Sequence, residues 1–170
     1  YSTAFPREAG AAGKDTRGMI RQHQFDKVEM ESFTSPEHSL AEQELMVGVQ
    51  EYLTRQLNIP YRVIICSTGD QGDADARHID LEMWMPGQDT YRETHSADLM
   101  QGYQARRLNT KIKRADGSTE PVHMNDATAY AMGRTLIAIL ENYQNADGSV
   151  TVPEALRPWV GKEKIEKRVY

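Results

Sequence analysis

The chain has 170 residues, which is enough for one domain with a hydrophobic core of its own. Its formal net charge of −5 excludes a basic field over the whole surface, which argues against a protein that coats nucleic acid. Cys66 is the only cysteine, so an intramolecular disulfide is impossible, and we expect a reducing, cytoplasmic environment. The sequence contains no apolar run near the roughly 20 residues of a membrane span and no signal-peptide pattern at its start. Because the chain opens without methionine, we expect it to be a portion of a longer protein.

In chain order, the sequence pattern predicts strands joined in hairpins, with helices set between them. The predicted elements are two strands within Phe5–Glu29, a helix over Leu40–Leu57, strands over Tyr61–Ser67, Ile79–Met85 and Thr90–His95, a helix from Ser96 toward Leu108, a helix over Met132–Tyr143, and a short final strand over Val150–Pro153. The charged tail, Lys162–Tyr170, is expected to fray. This order favours an α+β fold with an antiparallel sheet.

The segment Arg17–Glu29 is the most informative part of the sequence. Arg21, Phe25 and Glu29 follow one another at intervals of four, and on a strand this equal parity places all three on one face. A guanidinium suits a phosphate, an aromatic ring suits a base, and a carboxylate suits an amine. The spacing therefore indicates a nucleotide and a small amine held side by side. The alternative is an exposed strand with solvated charges.

A series of short motifs runs along nearly the whole chain in a fixed order. The motifs are Asp15–Glu29, Thr68–Asp70, Asp80–Glu82, Tyr91–Ser96, Gln104–Arg107, Gly133–Thr135, Leu140–Gln144, Ala146–Gly148 and Val152–Pro158. Each one alone is weak, but their number, order and spacing together are specific. On these motifs the chain resembles the C-terminal part of the catalytic domain of the seryl-tRNA synthetases, a family of class II aminoacyl-tRNA synthetases.

The resemblance implies a fold and a reaction. The fold is an α+β class II synthetase domain with a six- or seven-stranded antiparallel sheet flanked by helices, of which residues 1–170 are the C-terminal portion. In the reaction, L-serine and ATP, with Mg²⁺, give seryl-adenylate and pyrophosphate, and the seryl group then passes to tRNA(Ser). The parent protein is implied to be a homodimer. The family's N-terminal coiled-coil arm, which binds tRNA, and its upstream dimer-interface motif are expected to lie outside these residues.

The resemblance also implies roles for individual residues. The implied ATP-binding residues are Glu8, Arg21, Phe25, Glu93, Ser96 and Arg134. Phe25 and Arg134 would lie on the two faces of the adenine ring, and Glu8 would meet its amino edge. Arg21, Glu93 and Arg134 are the implied catalytic residues. Glu93 and Ser96 would hold Mg²⁺, because this ion prefers hard oxygen ligands. The implied serine-binding residues are Glu29, Thr128, Asn125 and Asp126, and the choice between the last two is left open.

Three segments depart from the family's usual pattern. Pro6 stands where the family has the arginine that binds the α-phosphate, and loss of such a transition-state contact typically costs about 3 kcal/mol or more. Counting back from Arg134, Asp126 stands at the position of an asparagine. The segment Gln71–Arg77 differs from the usual Met-Gly segment and places Asp73, Asp75 and Arg77 near the site.

Three hypotheses follow for the parent protein. The leading hypothesis is a serine–tRNA ligase that depends on ATP and Mg²⁺, with this chain as its incomplete catalytic core. The alternative, motivated by Pro6, is a catalytically impaired paralogue that binds nucleotide or a partner protein. A third is a homologue that charges a carrier protein instead of tRNA.

Overall fold

The computed structural model describes residues 1–6 and 18–167. The strands are β1 Ser2–Ala4, β2 Phe25–Thr34, β3 Tyr61–Ile65, β4 Arg77–Met85, β5 Thr90–Leu99, β6 Lys111–Lys113, β7 Thr119–Pro121, β8 His123–Ala131, β9 Val150–Thr151 and β10 Lys164–Ile165. The α-helices are α1 Ser39–Gln56, α2 Tyr103–Leu108, α3 Met132–Tyr143 and α4 Arg157–Val160. Short 3₁₀ turns cover Pro86–Gln88 and Glu154–Leu156. No helix among the described residues is long and apolar enough to cross a membrane.

Six strands form one antiparallel sheet in the order β1-β2-β8-β5-β4-β3. This confirms the predicted α+β fold and its antiparallel sheet. The alternation predicted over Ile79–Met85 is also confirmed, because Ile79, Leu81, Met83 and Met85 are all buried. Strand β8, in the middle of the sheet, was not predicted.

Helices α1 and α3 cover one face of the sheet. Met46 and Val47 of α1 pack with Ala97 and Ala127 of the central strands, and Ile137 and Ile139 of α3 belong to the cluster that contains Leu81 and Met83. Side chains alternate along a strand, so the intervening residues point to the opposite side. We call that opposite side the open face.

Two buried glutamines fix α1 against the sheet. The Gln43 amide nitrogen donates to the carbonyl oxygens of Arg77 and Ala97, at 3.0 and 2.8 Å. Two turns later, the Gln50 amide nitrogen donates to the carbonyl oxygens of Ser96 and Thr128, at 2.7 and 2.9 Å. Direct pairing between β5 and β8 ends at Ala97 and Ala127, so Gln50 bridges these strands where their own ladder stops.

Two β-bulges decide which residues share the open face. The pairing of β4 with β5 shifts between Leu81 and Glu82, which leaves Thr94 as an extra residue in β5. The pairing of β2 with β8 shifts between Val28 and Glu29, which leaves Ala129 extra in β8. A bulge reverses the alternation of the residues beyond it. For this reason Glu93 and Ser96, three positions apart, lie on the same side of the sheet.

Three predictions about the elements are wrong. Ser96 does not begin a helix: it lies inside β5, and α2 begins only at Tyr103. Arg21 is not on a strand, because β2 begins at Phe25 and the residues before it form turns. Strand β9 is not the last strand, because it pairs with β10 in the charged tail.

Candidate functional site

A cavity of about 190 Å³ opens on the open face, at the junction of β2, β5, β8 and the first turn of α3. Its wall includes six of the residues predicted to act on substrate. They are Arg21, Phe25, Glu93, Ser96, Thr128 and Arg134. The residues of this wall come from chain segments more than 100 positions apart, so the fold itself assembles the site.

Arg134 is fixed from two sides of the cavity. Its Nη1 donates to the carbonyl oxygen of Glu93 at 2.7 Å, and its Nε donates to the carbonyl oxygen of Ile20 at 3.5 Å. Its guanidinium also pairs with the Glu93 carboxylate at 3.2 Å. The guanidinium plane is therefore held by β5 on one side and by the turn before β2 on the other.

Gly133 allows that turn to approach α3 closely. A Cβ atom at this position would lie 3.1 Å from the Gln22 Oε1 atom and 3.5 Å from the Met19 carbonyl oxygen. Gln22 and Met19 also line the cavity beside Arg21. The absence of a side chain at Gly133 thus sets the position of the turn that carries Arg21.

Glu29 lies beside the cavity and is paired with a cation. The Lys27 ammonium is 2.7 Å from the Glu29 Oε2 atom. Burial raises the pKa of Glu29 above its usual range, and the neighbouring Lys27 opposes that shift. Lys27 itself lines the cavity and was not predicted to act there. Its position two residues before Glu29 on an alternating strand was the signal in the sequence that could have found it.

The alternation of β8 places Asn125 and Asp126 on opposite faces of the sheet. Asn125 is fully buried on the helix side, where its amide nitrogen donates to the Ser39 carbonyl oxygen at 2.8 Å. Asp126 belongs to the open face, opposite Glu31 on β2 and Asp98 on β5. The structure therefore does not bring Asn125 together with the other predicted serine-binding residues, whereas Asp126 does share their face.

A row of ionisable residues crosses four strands of the open face. In register, Glu31 lies opposite Asp126, Asp126 opposite Asp98, and Asp98 opposite His78. Burial is the first cause of a raised pKa for Glu31 and Asp126, and it raises the pKa of Asp98 to about 7. Raised carboxyl pKa values of this kind mark a surface that would be stabilised by a cation. Glu31, Asp98 and His78 were not predicted as site residues.

Pro6 also belongs to the cavity wall. Among the residues that the structure describes, the cationic side chains of this wall are those of Arg21, Lys27 and Arg134. The position that carries an arginine in the family pattern therefore contributes no charge. The predicted adenine contact Glu8 lies outside the described residues.

The chain matches the family model described as tRNA synthetase class II core domain (G, H, P, S and T) over residues 1–143. It is 55% identical to the serine–tRNA ligase of Leptothrix cholodnii over 161 residues, which is 95% of this chain and 37% of that protein. It is 54% identical to the serine–tRNA ligase of Chromobacterium violaceum over 165 residues, or 97% of this chain and 39% of that protein. The chain thus spans less than two fifths of the length of these curated relatives.

Solved structures agree with these matches. The seryl-tRNA synthetase of Pyrococcus horikoshii complexed with ATP superimposes with a TM-score of 0.94 at 43% identity, over 98% of this chain and 38% of that one. The cytoplasmic serine–tRNA ligase of Naegleria fowleri in complex with AMP gives a TM-score of 0.91 at 41% identity, over 99% and 40%. The resemblance inferred from the motifs is confirmed. The chain belongs to the class II aminoacyl-tRNA synthetases, in the core-domain family of the G, H, P, S and T enzymes.

Proposed function

We propose that the chain is the C-terminal portion of the catalytic domain of a seryl-tRNA synthetase, which activates L-serine with ATP and transfers it to tRNA(Ser). The observation that carries the proposal is the single cavity shared by Arg21, Phe25, Glu93, Ser96, Thr128 and Arg134. The serine–tRNA ligases among its relatives support serine as the amino acid. The parent protein would be a cytoplasmic homodimer, with its tRNA-binding arm outside these residues.

In this proposal ATP enters the cavity with its adenine ring between Phe25 and Arg134. Two contacts to backbone carbonyl oxygens hold the Arg134 guanidinium, so its plane is available for stacking without further ordering. Arg21, carried by the turn that packs on Gly133, would contact the phosphates. An ATP complex is known for the structurally similar enzyme of Pyrococcus horikoshii, which supports a nucleotide at this position.

Glu93 and Ser96 fit the magnesium ion that the family implies. Both supply oxygen donors, both line the cavity, and the bulge at Thr94 puts them on one face. When bound, Mg²⁺ would neutralise charge on the ATP phosphates. Arg134 already pairs with the Glu93 carboxylate, which keeps that carboxylate at the cavity.

Serine would be held by Glu29, Asp126 and Thr128. The Glu29 carboxylate is already paired with an ammonium group, that of Lys27, and a substrate ammonium is the same kind of partner. We infer that the serine ammonium replaces Lys27 on Glu29, which leaves the Lys27 side chain free to turn toward the phosphates. The buried Thr128 hydroxyl at the cavity wall would contact the serine side chain.

Attack of the serine carboxylate on the α-phosphate depends on positioning and on neutralisation of phosphate charge. Pro6 removes one expected cation from this step, and we infer that Lys27 and Arg21 supply the remaining charge. The same observation supports the second candidate function, a paralogue that binds ATP but activates serine poorly.

Serine-dependent exchange of pyrophosphate into ATP, measured with the full-length protein, tests the proposal. The expected result is exchange with serine and little with other amino acids, followed by charging of tRNA(Ser). Exchange with no amino acid would reject the enzyme function. ATP binding in calorimetry without exchange, with exchange restored by Pro6→Arg, would instead establish the impaired paralogue.

A further inference from the structure

The geometry points to a binding site for a divalent transition-metal ion, of the Zn²⁺ or Mn²⁺ class, formed by Asp75, His78 and Asp98 on the open face. Its ligands differ from the Glu93 and Ser96 pair that would hold Mg²⁺, and Asp98 lies two residues beyond Ser96 on β5. The site does not depend on the proposed function, because its ligands are protein atoms alone.

Three candidate ligand atoms converge at this point. They are the Asp75 Oδ2, His78 Nδ1 and Asp98 Oδ1 atoms, which all lie within 4.8 Å of one another. The Asp75 and His78 atoms are 3.6 Å apart, and the Asp98 atom contacts His78 Nδ1 directly. The exposed fraction of the side chain is 9% for Asp75, 17% for His78 and 15% for Asp98. Ligands about 2.0–2.2 Å from a tetrahedral ion stand roughly 3.4 Å apart, so small shifts would admit one.

Two of these atoms have no conventional hydrogen-bond partner. His78 Nδ1 and Asp98 Oδ1 are both buried, and their mutual contact lacks hydrogen-bond geometry. Buried polar atoms are normally satisfied, and these two atoms depend on ion contacts with neighbouring side chains for that. A shared ion would satisfy both atoms at once.

The other nitrogen of His78 is arranged as in known metal sites. Its Nε2 atom lies 2.9 Å from the Asp80 Oδ1 atom, and the second Asp80 oxygen accepts a hydrogen bond from the Cys66 Sγ atom at 3.1 Å. A histidine that binds a metal through one nitrogen commonly donates its other N–H to a carboxylate, which fixes the tautomer and orients the ring. With Nε2–H donating to Asp80, the lone pair of Nδ1 faces Asp75 and Asp98.

The local charge also favours a divalent cation. Asp98 lies directly opposite Asp126 in the β5–β8 ladder, so four carboxylates lie near the His78 imidazole: Asp75, Asp80, Asp98 and Asp126. Like charges this close in a half-buried position are costly unless a cation or protons compensate them. An imidazole among carboxylates suits zinc, cobalt or manganese better than Mg²⁺ or Ca²⁺, which prefer oxygen ligands only.

The cluster unites two of the segments that depart from the family pattern. Asp75 lies in the divergent segment Gln71–Arg77, and Asp126 stands at the position of an asparagine. These positions are about 50 residues apart in the sequence, yet both adjoin Asp98. Their meeting in space suggests a local feature of this chain, not a part of the common scaffold.

Zinc binding to the chelator-stripped protein, measured by calorimetry without nucleotide or amino acid, tests the inference. We expect one saturable ion per chain that excess Mg²⁺ does not displace. His78→Gln and Asp98→Asn should each weaken zinc binding by about tenfold or more, and Asp80→Asn by roughly 10- to 100-fold. Asp116→Asn, which removes an exposed carboxylate bonded to Ser118, is the matched control and should bind zinc as the wild type does.

A second group of potential ligands, Cys66, His78 and Asp80, gives the competing assignment. Cys66→Ser should leave zinc binding unchanged, and loss of binding in that variant would overturn the assignment to Asp75 and Asp98. Cobalt added to the wild-type protein gives the same answer without mutation, because a thiolate ligand produces a charge-transfer absorption and a nitrogen–oxygen set does not. Absence of saturable zinc binding by the wild type, or unchanged binding in the His78 and Asp98 variants, would reject the site.

Discussion

Replacing Gln50 by methionine should disturb the positions of two cavity residues, although Gln50 itself lies on the helix side of the sheet and does not line the cavity. The Gln50 amide is fully buried, and it holds the carbonyl oxygens of Ser96 and Thr128, whose side chains both line the cavity. Methionine fills a similar volume but cannot donate, so two hydrogen bonds are lost and two buried acceptors lose a partner. At about 1–3 kcal/mol for each acceptor, we expect the free energy of unfolding to fall by roughly 2–6 kcal/mol.

Gln43→Met is a matched control for this change. Gln43 is equally buried on the same helix, and its amide nitrogen also donates to two carbonyl oxygens, those of Arg77 and Ala97. Its Oε1 atom accepts one further hydrogen bond, from Arg77 Nη1 at 3.1 Å. Neither of these residues lines the cavity. Urea unfolding should show at least as large a loss of stability for Gln43→Met, which removes one more hydrogen bond. Only Gln50→Met should raise the KM for serine and the Mg²⁺ requirement of pyrophosphate exchange. Equal kinetic effects in the two variants, or no effect of Gln50→Met, would refute the reasoning.

Four further changes test other parts of the site and fold. Arg134→Lys keeps the positive charge but loses the planar guanidinium that donates to the Glu93 carbonyl oxygen. We expect kcat/KM for ATP to fall by roughly 30- to 150-fold, which corresponds to about 2–3 kcal/mol. An unchanged kcat/KM would contradict the proposed role of Arg134 in ATP binding. Pro6→Arg should raise the exchange rate by about 100-fold in kcat, as measured in the full-length protein, if the missing cation limits the reaction. Gly133→Ala should stabilise α3 slightly by propensity yet weaken ATP binding in calorimetry, because its Cβ would press on Gln22. Hydrogen bonds from Lys164 and Ser149 lower the pKa of Asp147, so Asp147→Asn should lower the urea midpoint at pH 7. The difference should begin to shrink as the pH falls below about 4, the usual pKa of an aspartate, and should vanish only below the lowered pKa of the folded state.

The sequence predicted those elements whose residues repeat a single pattern. Helix α3 has the predicted bounds, Met132–Tyr143, because its apolar residues recur at helical spacing along the whole length. Strand β4 was found for the corresponding reason, a strict alternation of apolar and polar residues. Strand β8 was missed because it is flanked by strands on both sides and covered by α1, so it carries small and polar residues, such as Asn125 and Ala127, in place of the usual large apolar or β-branched ones.

The site residues show a different limit. The family resemblance predicted Glu93, Ser96 and Thr128 as site residues. Strand periodicity alone would have placed Glu93 and Ser96 on opposite faces, because they are an odd number of positions apart. The bulge at Thr94 changes that outcome, and it is held by the Thr94 hydroxyl, which donates to the Leu81 carbonyl oxygen on the next strand at 3.2 Å. That contact joins residues 13 positions apart. Local patterns in a sequence do not encode a contact of this range, which is why the prediction began a helix at Ser96.

The departures from the family pattern acquire a common physical meaning once the strands are in place. Pro6 removes positive charge from the end of the open face that would receive phosphate, whereas Asp75 and Asp126 add negative charge at the end that would receive the amino acid. Both changes make the open face more attractive to cations and less attractive to ATP. If the protein activates serine, a bound divalent ion near Asp98 would offset part of this imbalance. Zinc should therefore raise the affinity for ATP in the wild type and leave it unchanged in Asp98→Asn. Titration of both proteins with ATP, with and without zinc, measures whether an ion near Asp98 affects nucleotide binding at the other end of the open face.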